Sequence, residues 1–532
     1  MRAANASAET VDAVTHAGPD PAFGDDVLHD VAIVGFGPTG AVLANLLVKR
    51  GLRVLVVERE AEIYALPRAI HFDAENMRIF QTLGLAAALE PQVLVSPGMK
   101  FVDAAGRVLI DYTRSKDLGP QGWHASYRFH QPVLESLLRA HLAQHGGATV
   151  RLRHDLFALE PMQDHVVLRV EDTRRGRLLQ TRARYVVGCD GARSLVRRLM
   201  GTELDDLQAH ERWLVLDLRL KRPRPDLGDH SLQFCDPQRP ATYVRGVGDR
   251  RRWEIMLMPG DDPQQLTRPE GIWPLLSKWI GPEDADIERP ALYTFHSVVA
   301  RGWRQGRLMI AGDAAHQTPP FMGQGMCAGV RDAVNLAWKL ADVVQGQAAP
   351  ALLDTYESER APHAREFIET AVRLGGVIQD TDVERARARD ARMAAQPEVF
   401  RTPTPPLGPG AHDGVVDGSV VGRLAPQPVM PDGRRLDDAL GYRFAAIAPQ
   451  AWLDALPADA LGDDRLRRVA TETADGQAWL QGCGVPALLL RPDRHVAGVA
   501  VDAAGLRMLV SRYVGGPAST ASNAGRTAQA TP

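Results

Sequence analysis

Cysteine is scarce in this chain. Its 532 residues hold four, Cys189, Cys235, Cys327 and Cys483, and none stands at C-x-x-C or Cys/His ligand spacing. A disulfide frame, a dithiol redox pair and a metal site are therefore not expected, and the thiols read as the reduced cysteines of a cytoplasmic protein. Long apolar runs are missing too. Nothing approaches the roughly 18 residues of a membrane span, so no membrane partner is expected. Residues 1–28 include acids and have no apolar centre, which argues against a secretory signal and predicts a disordered leader. Nor is there an excess of one charge. Against 62 Lys and Arg stand 65 Asp and Glu, a net charge of −3, so no nucleic acid is implied as partner. Arginine clusters such as residues 249–252 are short and read as solvated loops.

What the chain does have is glycine in two informative places. Asp30-Val-Ala-Ile-Val-Gly-Phe-Gly-Pro-Thr-Gly40 is a buried-type strand opening on Gly-x-Gly-x-x-Gly at Gly35, Gly37 and Gly40. A helical run and a second strand, Arg53 to Glu58, follow. The glycines allow a tight turn, close approach of a pyrophosphate and tight helix–strand packing, with Pro38 and Thr39 inside the turn. Glu58, with Arg59 beside it, is placed to meet the ribose hydroxyls of an adenosine. No second copy of this fingerprint occurs, so a separate nicotinamide-nucleotide domain is not expected.

Far downstream, residues 307–325 form an apolar strand that ends on Gly312-Asp313 and runs through Pro319, Pro320, Gly323, Gln324 and Gly325 into an amphipathic helix. Such a loop offers one carboxylate and a row of backbone N–H groups, with a positive helix end behind them. Two segments that suit different parts of one dinucleotide point to FAD. Between them the texture changes. Residues 29–204 and 300–400 alternate strand and helix patterns, whereas 205–299 alternate as half-buried antiparallel strands. The expected fold is α/β: a Rossmann-like FAD-binding domain carrying an inserted antiparallel-sheet substrate domain. A proline-rich linker (401–417), a small α/β unit (418–515) and a disordered tail (516–532) complete the chain.

Three motifs together resemble the single-component (class A) flavoprotein aromatic hydroxylases: the glycine fingerprint, Asp190-Gly-Ala-Arg-Ser-Leu-Val-Arg197, and the Gly312-Asp313 loop. Leu66-Pro-Arg-Ala-Ile70 and Phe129-His-Gln-Pro132 are similar as well. The resemblance implies FAD contacts from Arg68, Gln131, Asp190 and Arg197, with NADH or NADPH as co-substrate. It extends to Leu490-Arg-Pro-Asp-Arg-His-Val-Ala497, which resembles the end of a degenerate thioredoxin-like domain, structural here because C-x-x-C is absent. Within the family the likeness is to the branch acting on 3-(3-hydroxyphenyl)propionate and 3-hydroxycinnamate with NADH, in aromatic-acid catabolism. His71-Phe72 departs from that branch where Gly-Ile is expected.

That likeness implies O₂-dependent hydroxylation of a small phenolic acid ortho to its hydroxyl, giving a 2,3-dihydroxyphenyl product. Reduced flavin and O₂ supply the electrophilic oxygen, and the protein supplies position and electrostatics. A phenol reacts faster ionised, and its free pKa is about 10, so a base or a pKa-lowering site is needed. Candidates are Tyr243, Arg245, Trp253, Met256, Met258 and His296, with His296 as proton acceptor and Arg245 as carboxylate partner. Pro320 would stiffen the loop against the flavin, and His316 reads as a loop-shaping residue. A tailoring hydroxylase of a larger polyketide-type aromatic, and a non-catalytic binding protein on the same fold, are the alternatives.

Overall fold

A computed structural model describes residues 20, 22–24, 26–415, 418–457 and 464–515. Its centre is a sheet in which five strands run parallel, in the order Leu308–Ile310, Arg177–Gly188, Leu28–Val34, Val54–Glu58 and Ala148–Leu152. Val31 to Val34 and Val54 to Val57 are almost wholly buried. An unbroken apolar run of this kind is what a parallel strand covered on both faces requires. All five strands end at one edge, and the ladder continues past their formal ends: Gly35 N–H donates to Val57 O, Cys189 N–H to Val34 O, and Ala311 N–H to Gly188 O. Three motifs separated by more than a hundred residues thus emerge side by side.

The fingerprint helix Pro38–Lys49 and the long helix Gly325–Val344 pack together over this edge. They approach closely because glycines face Thr39. A Cβ on Gly312 would stand 2.7 Å from Thr39 Oγ1, and one on Gly329 would overlap the same oxygen.

The second sheet has eight strands, ordered Ala285–Phe295, Glu211–Leu220, Arg250–Met256, Ala241–Arg245, Ser231–Phe234, Gly98–Val102, Val108–Thr113 and Glu398–Val399. The expected 205–299 insertion is therefore only part of it. Residues 98–113 and 398–399 come from segments assigned to the FAD-binding domain, and they join because Ser231–Phe234 would otherwise be an open edge. Nor is the sheet purely antiparallel: Ser231–Phe234 runs parallel to Gly98–Val102, and Val108–Thr113 parallel to Glu398–Val399.

The C-terminal unit holds four strands, ordered Leu466–Ala470, Phe444–Ala448, Ala487–Leu490 and Val496–Ala500. The first two are parallel and the remaining pairs antiparallel. It is fastened by buried ions. Arg491 donates to both oxygens of Glu359, at 2.9 and 2.7 Å, and Arg78 pairs with Asp437 at 2.6 Å. The proline-rich stretch is not a free linker, because Gly408 N–H donates to Glu359 O, Ala411 N–H to Glu359 Oε1, and Leu407 is buried. The expected disordered leader lies mostly outside the described residues, and its described end departs from that expectation. Phe23 is buried and stacks on His154, Asp20 pairs with Arg151, and the first strand begins at Leu28. Residues 516–532 lie outside the described residues. Among the described residues no helix is long and apolar enough to cross a membrane.

The close approach at Thr39 is testable. Gly329→Ala forces a methyl into Thr39 and toward Gly312, an overpacking cost of about 1–3 kcal/mol. We expect a lower Tm together with weaker FAD retention; an unchanged Tm would show slack between the two helices.

Candidate active site

The cofactor-side cleft is built from backbone. Gly35 has φ +97°, and a Cβ there would stand 2.5 Å from Cys189 O, so only glycine fits. A Cβ on Gly37 would meet nothing within 4 Å: that face is open. The helix beginning at Pro38 has no side-chain cap on its first turn, and the helix beginning at Gly325 has none either. Both therefore present free N–H groups and a positive end to the cleft. A Cβ on Gly325 would also meet open space. Glu58 ends its strand beside Gly35–Gly40; its oxygens accept from Phe36 N–H at 2.7 Å and Glu60 N–H at 2.8 Å, leaving lone pairs on each.

Asp313 stands between these ends. Its side chain is open to solvent, yet protein surrounds it so closely that burial raises its pKa, against the pull of His316 and Arg68. It lines a cleft wall, and no described residue donates a hydrogen bond to it. The loop under it is braced. Asp332 accepts from Gly312 N–H at 3.0 Å, is bonded to His316 Nε2 at 2.7 Å, and accepts from Arg360 Nε at 3.0 Å. Burial alone would raise Asp332, but His316, Arg360 and the Gly312 N–H bring it below the usual carboxylate range. Gln324 is buried, its Oε1 accepts from Arg331 Nη1 at 3.1 Å, and its Nε2 has no partner among the described residues.

Several expected contact residues also brace the walls. Asp190 is engaged inside its own motif, accepting from Ser194 Oγ, Leu195 N–H and Val196 N–H. Arg197 reaches across to Ala314 O at 2.8 Å and back to Ala192 O at 2.7 Å, tying the middle motif to the Asp313 loop. Gln131 Oε1 accepts from the Arg68 and Ala69 N–H groups, and its Nε2 donates to Glu135. This holds the loop that carries Arg68, whose side chain is exposed beside Tyr64. Arg59 is exposed and pairs with Glu60.

The catalytic candidates need correction. Alternation along a strand sends neighbouring side chains to opposite faces, and Tyr243 and Trp253 point away from the cofactor. They pack with Leu214, Ile272 and Leu276 in a core on the far face. Arg245, two residues past Tyr243, shares that face; it pairs with Asp229 and lines a surface cavity of ≈ 790 Å³. His296 is exposed, with Nδ1 2.9 Å from His210 Nδ1, and His210 in turn bonds Asp206. Met256, by contrast, lies on the cofactor face, against the cluster that contains Trp213 and Phe321.

That face carries residues the sequence reading passed over. In register along it stand Trp213 and Met256, then Val215 and Glu254, then Asp217 and Arg252, with Arg289 opposite Asp217. Trp213 meets the ring of Phe321, which follows Pro320, at 5.8 Å. Arg252 donates to Pro67 O at 2.6 Å and Arg68 O at 2.8 Å. The face is thus anchored at one end to the proline loop and at the other to the Arg68 loop. Arg289 is buried, with Nε 3.9 Å from Asp217 Oδ2 and neither Nε nor Nη1 hydrogen-bonded among the described residues. His71 holds Gly323 in place: Nδ1 bonds Gly323 O at 3.1 Å, and Nε2 bonds Ser126 Oγ at 2.9 Å. Only the departure from the family's Gly-Ile marked His71 in the sequence.

A cleft with two uncapped helix ends, open glycine faces and an unpartnered carboxylate suits a long, polyhydroxylated, anionic cofactor. The family comparison names it. Residues 29–371 match the FAD binding domain family, and the chain belongs to it. Among relatives, it is 37% identical over 507 residues to the probable NADH-specific resorcinol 4-hydroxylase of Rhodococcus jostii (strain RHA1), covering 91% of this chain and 94% of that one. It is 35% identical over 531 residues to 3-(3-hydroxy-phenyl)propionate/3-hydroxycinnamic acid hydroxylase 2 of Burkholderia vietnamiensis (strain G4 / LMG 22486), covering 91% and 95%. In fold it is similar to the flavin-dependent monooxygenase PieE, solved with FAD and substrate: TM-score 0.80, 24% identity, 92% of this chain and 99% of that one.

Asp313→Ala removes a charged acceptor whose hydrogen bonds contribute about 1.5–3 kcal/mol each. FAD affinity should fall at least tenfold while the fold persists; equal retention in a flavin-binding titration would exclude this loop. His71 gives a pH signature. Burial, then Arg128 and Arg114, lower it to about 3, so it is neutral when folded. An unfolded histidine takes its proton near 6.5. The stability contributed by neutral His71 is complete above pH 6.5 and lost as pH falls toward about 3. Tm measured across that window should drop more steeply for the parent than for His71→Gln.

Proposed function

We propose that the chain is an NAD(P)H- and O₂-dependent flavoprotein monooxygenase that hydroxylates a small meta-substituted phenol ortho to its hydroxyl. In this reading Gly37, Thr39 and Gly40 would hold the FAD pyrophosphate and Glu58 the adenosine ribose. Asp313 would hold the ribityl hydroxyls, and Pro320 with Gly323–Gly325 would flank the ring. When bound, the flavin activates O₂; the protein's part is to hold the phenol ring against it and to exclude water.

The observation that carries the reading is the polar face of the second sheet, pinned between the two loops that flank the cleft. Charged and hydrogen-bonding groups (Glu254, Arg252, Arg289, with Thr242 opposite Glu254) suit a small ring with polar substituents. A wide apolar pocket for a polyketide-type aromatic would not carry them. The preferred substrate is 3-(3-hydroxyphenyl)propionate or 3-hydroxycinnamate, with Arg289 in place of Arg245 as the carboxylate partner. The resorcinol-acting relative supports a second reading, in which the meta substituent is a hydroxyl. A parallel-then-antiparallel strand order without C-x-x-C supports a structural, thioredoxin-like role for residues 418–515.

Incubation with NADH, air and a panel of 3-(3-hydroxyphenyl)propionate, 3-hydroxycinnamate and resorcinol decides between them. One of these should accelerate NADH oxidation and yield an ortho-dihydroxylated product by mass analysis. If the acids are the substrates, Arg289→Ala should raise their KM about tenfold or more, the loss expected for a charge-assisted hydrogen bond, and leave resorcinol turnover alone. A colourless protein, or one that oxidises NADH without responding to any phenol, would end the proposal.

A further inference from the structure

Glu254 is a buried acid with no donor. Its side chain points to the cofactor face, one residue pair along from Trp213 and Met256 and one pair short of Asp217 and Arg252. Successive pairs on one face are about 7 Å apart. Glu254 therefore sits midway along the roughly 13 Å of strand between the Phe321 anchor and the Pro67–Arg68 anchor. Arg252 Nη1 is the nearest cation, 3.9 Å from Glu254 Oε1, beyond hydrogen-bond distance. The guanidinium has no reach to spare. Nε is bonded to Asp217, Nη1 to Arg68 O, and Nη2 to both Pro67 O and Asp217. No described residue donates to the Glu254 carboxylate. The Glu254 oxygens are not among the fully sealed, unpartnered atoms, so they keep free lone pairs that a ligand O–H entering this face can reach.

We infer that Glu254 accepts the proton of the substrate's phenolic hydroxyl. The inference rests on the function proposed above and assigns one step of it. The phenol O–H bond breaks, the electron pair stays on the phenol oxygen, and a new O–H bond forms on Glu254, whose proton then leaves to solvent. The ring so activated is the nucleophile that aromatic hydroxylation requires. The charged neighbours suit this role. Burial raises the Glu254 pKa, Arg252 opposes the rise and Asp217 adds to it. A carboxylate displaced upward is a stronger base than an ordinary one, and a nearby cation favours its ionised form. Arg289 and Tyr293, which bond each other at 2.6 Å, share this face with Arg250, two residues before Arg252, and Glu211, two before Trp213. His296, the proton acceptor expected from sequence, lies outside this stretch.

Glu254→Gln tests the step, since the amide keeps shape and burial but cannot take a proton. FAD retention equal to the parent's establishes that the variant is folded. Product formation at neutral pH should fall about 10²-fold or more. It should recover as pH approaches about 10, where the phenol ionises unaided. The acid limb of the parent's pH profile, reflecting protonation of Glu254 above the ordinary carboxylate range, should vanish. Ultraviolet difference spectra of the phenol bound to oxidised protein read the same proton without turnover: phenolate with the parent, neutral phenol with Glu254→Gln. Glu254→Asp should restore part of the phenolate signal. A Gln variant that keeps both the parent's pH profile and its phenolate spectrum overturns the assignment while leaving the proposed hydroxylase intact. A parent that neither binds nor converts any phenol overturns both, and that failure is seen before any variant is made.

Discussion

The site depends on one constraint: three strand ends, far apart in sequence, must emerge at a single sheet edge with their backbones nearly touching. The ladder bonds that extend past Val34, Gly188 and Ile310 hold the turns in line. Thr39, caught between Gly312 and Gly329, sets how near the two helices come. Side chains at those glycines would separate the two helix ends that face the cleft. Everything else in the cofactor half is bracing for that edge, from Arg197 across two motifs to the buried Asp332 beneath Gly312.

Against this well-satisfied background, two carboxylates stand out because nothing donates to them. Asp313 lies on the cofactor side and Glu254 on the opposing sheet. Burial raises the pKa of both. Solvent reaches the Asp313 side chain, and neither carboxylate is among the fully sealed atoms, so each offers free lone pairs that an incoming hydroxyl can meet. One position suits hydroxyls along a chain, the other a hydroxyl on a ring.

The cofactor half was largely readable in the sequence because its signals are local. A strand, a glycine turn and a helix fall within a dozen residues, and the chemistry of Gly35, Gly37 and Gly40 follows from their spacing. The substrate face was not readable in the same way. Trp253 and Glu254 are adjacent in sequence and point to opposite sides of a sheet covered on both faces, so apolar alternation does not say which side meets the cofactor. The arginines at 250–252 look like a solvated cluster until pairing with Asp217 and Pro67 buries Arg252. Residues 98–113 join that sheet only through pairing with Ser231–Phe234, a relation no window of sequence contains. His71 was visible only as a departure from expectation, and its neutral, doubly bonded ring explains why a histidine is tolerated there.

Glu359 gives the C-terminal unit a bearing on the cofactor loop. It shares a helix turn with Arg360: one residue grips Arg491 of the outer unit, the other grips the carboxylate that steadies Gly312 and His316. Lys339 and Asn335 of the long helix close on the same Glu359 oxygen. The outer unit is thus a keystone and not an appendage. Shortening the chain ahead of it would strip Glu359 of its strongest counter-charge, slacken the helix beside the flavin loop, and carry the damage to a site whose own residues were untouched.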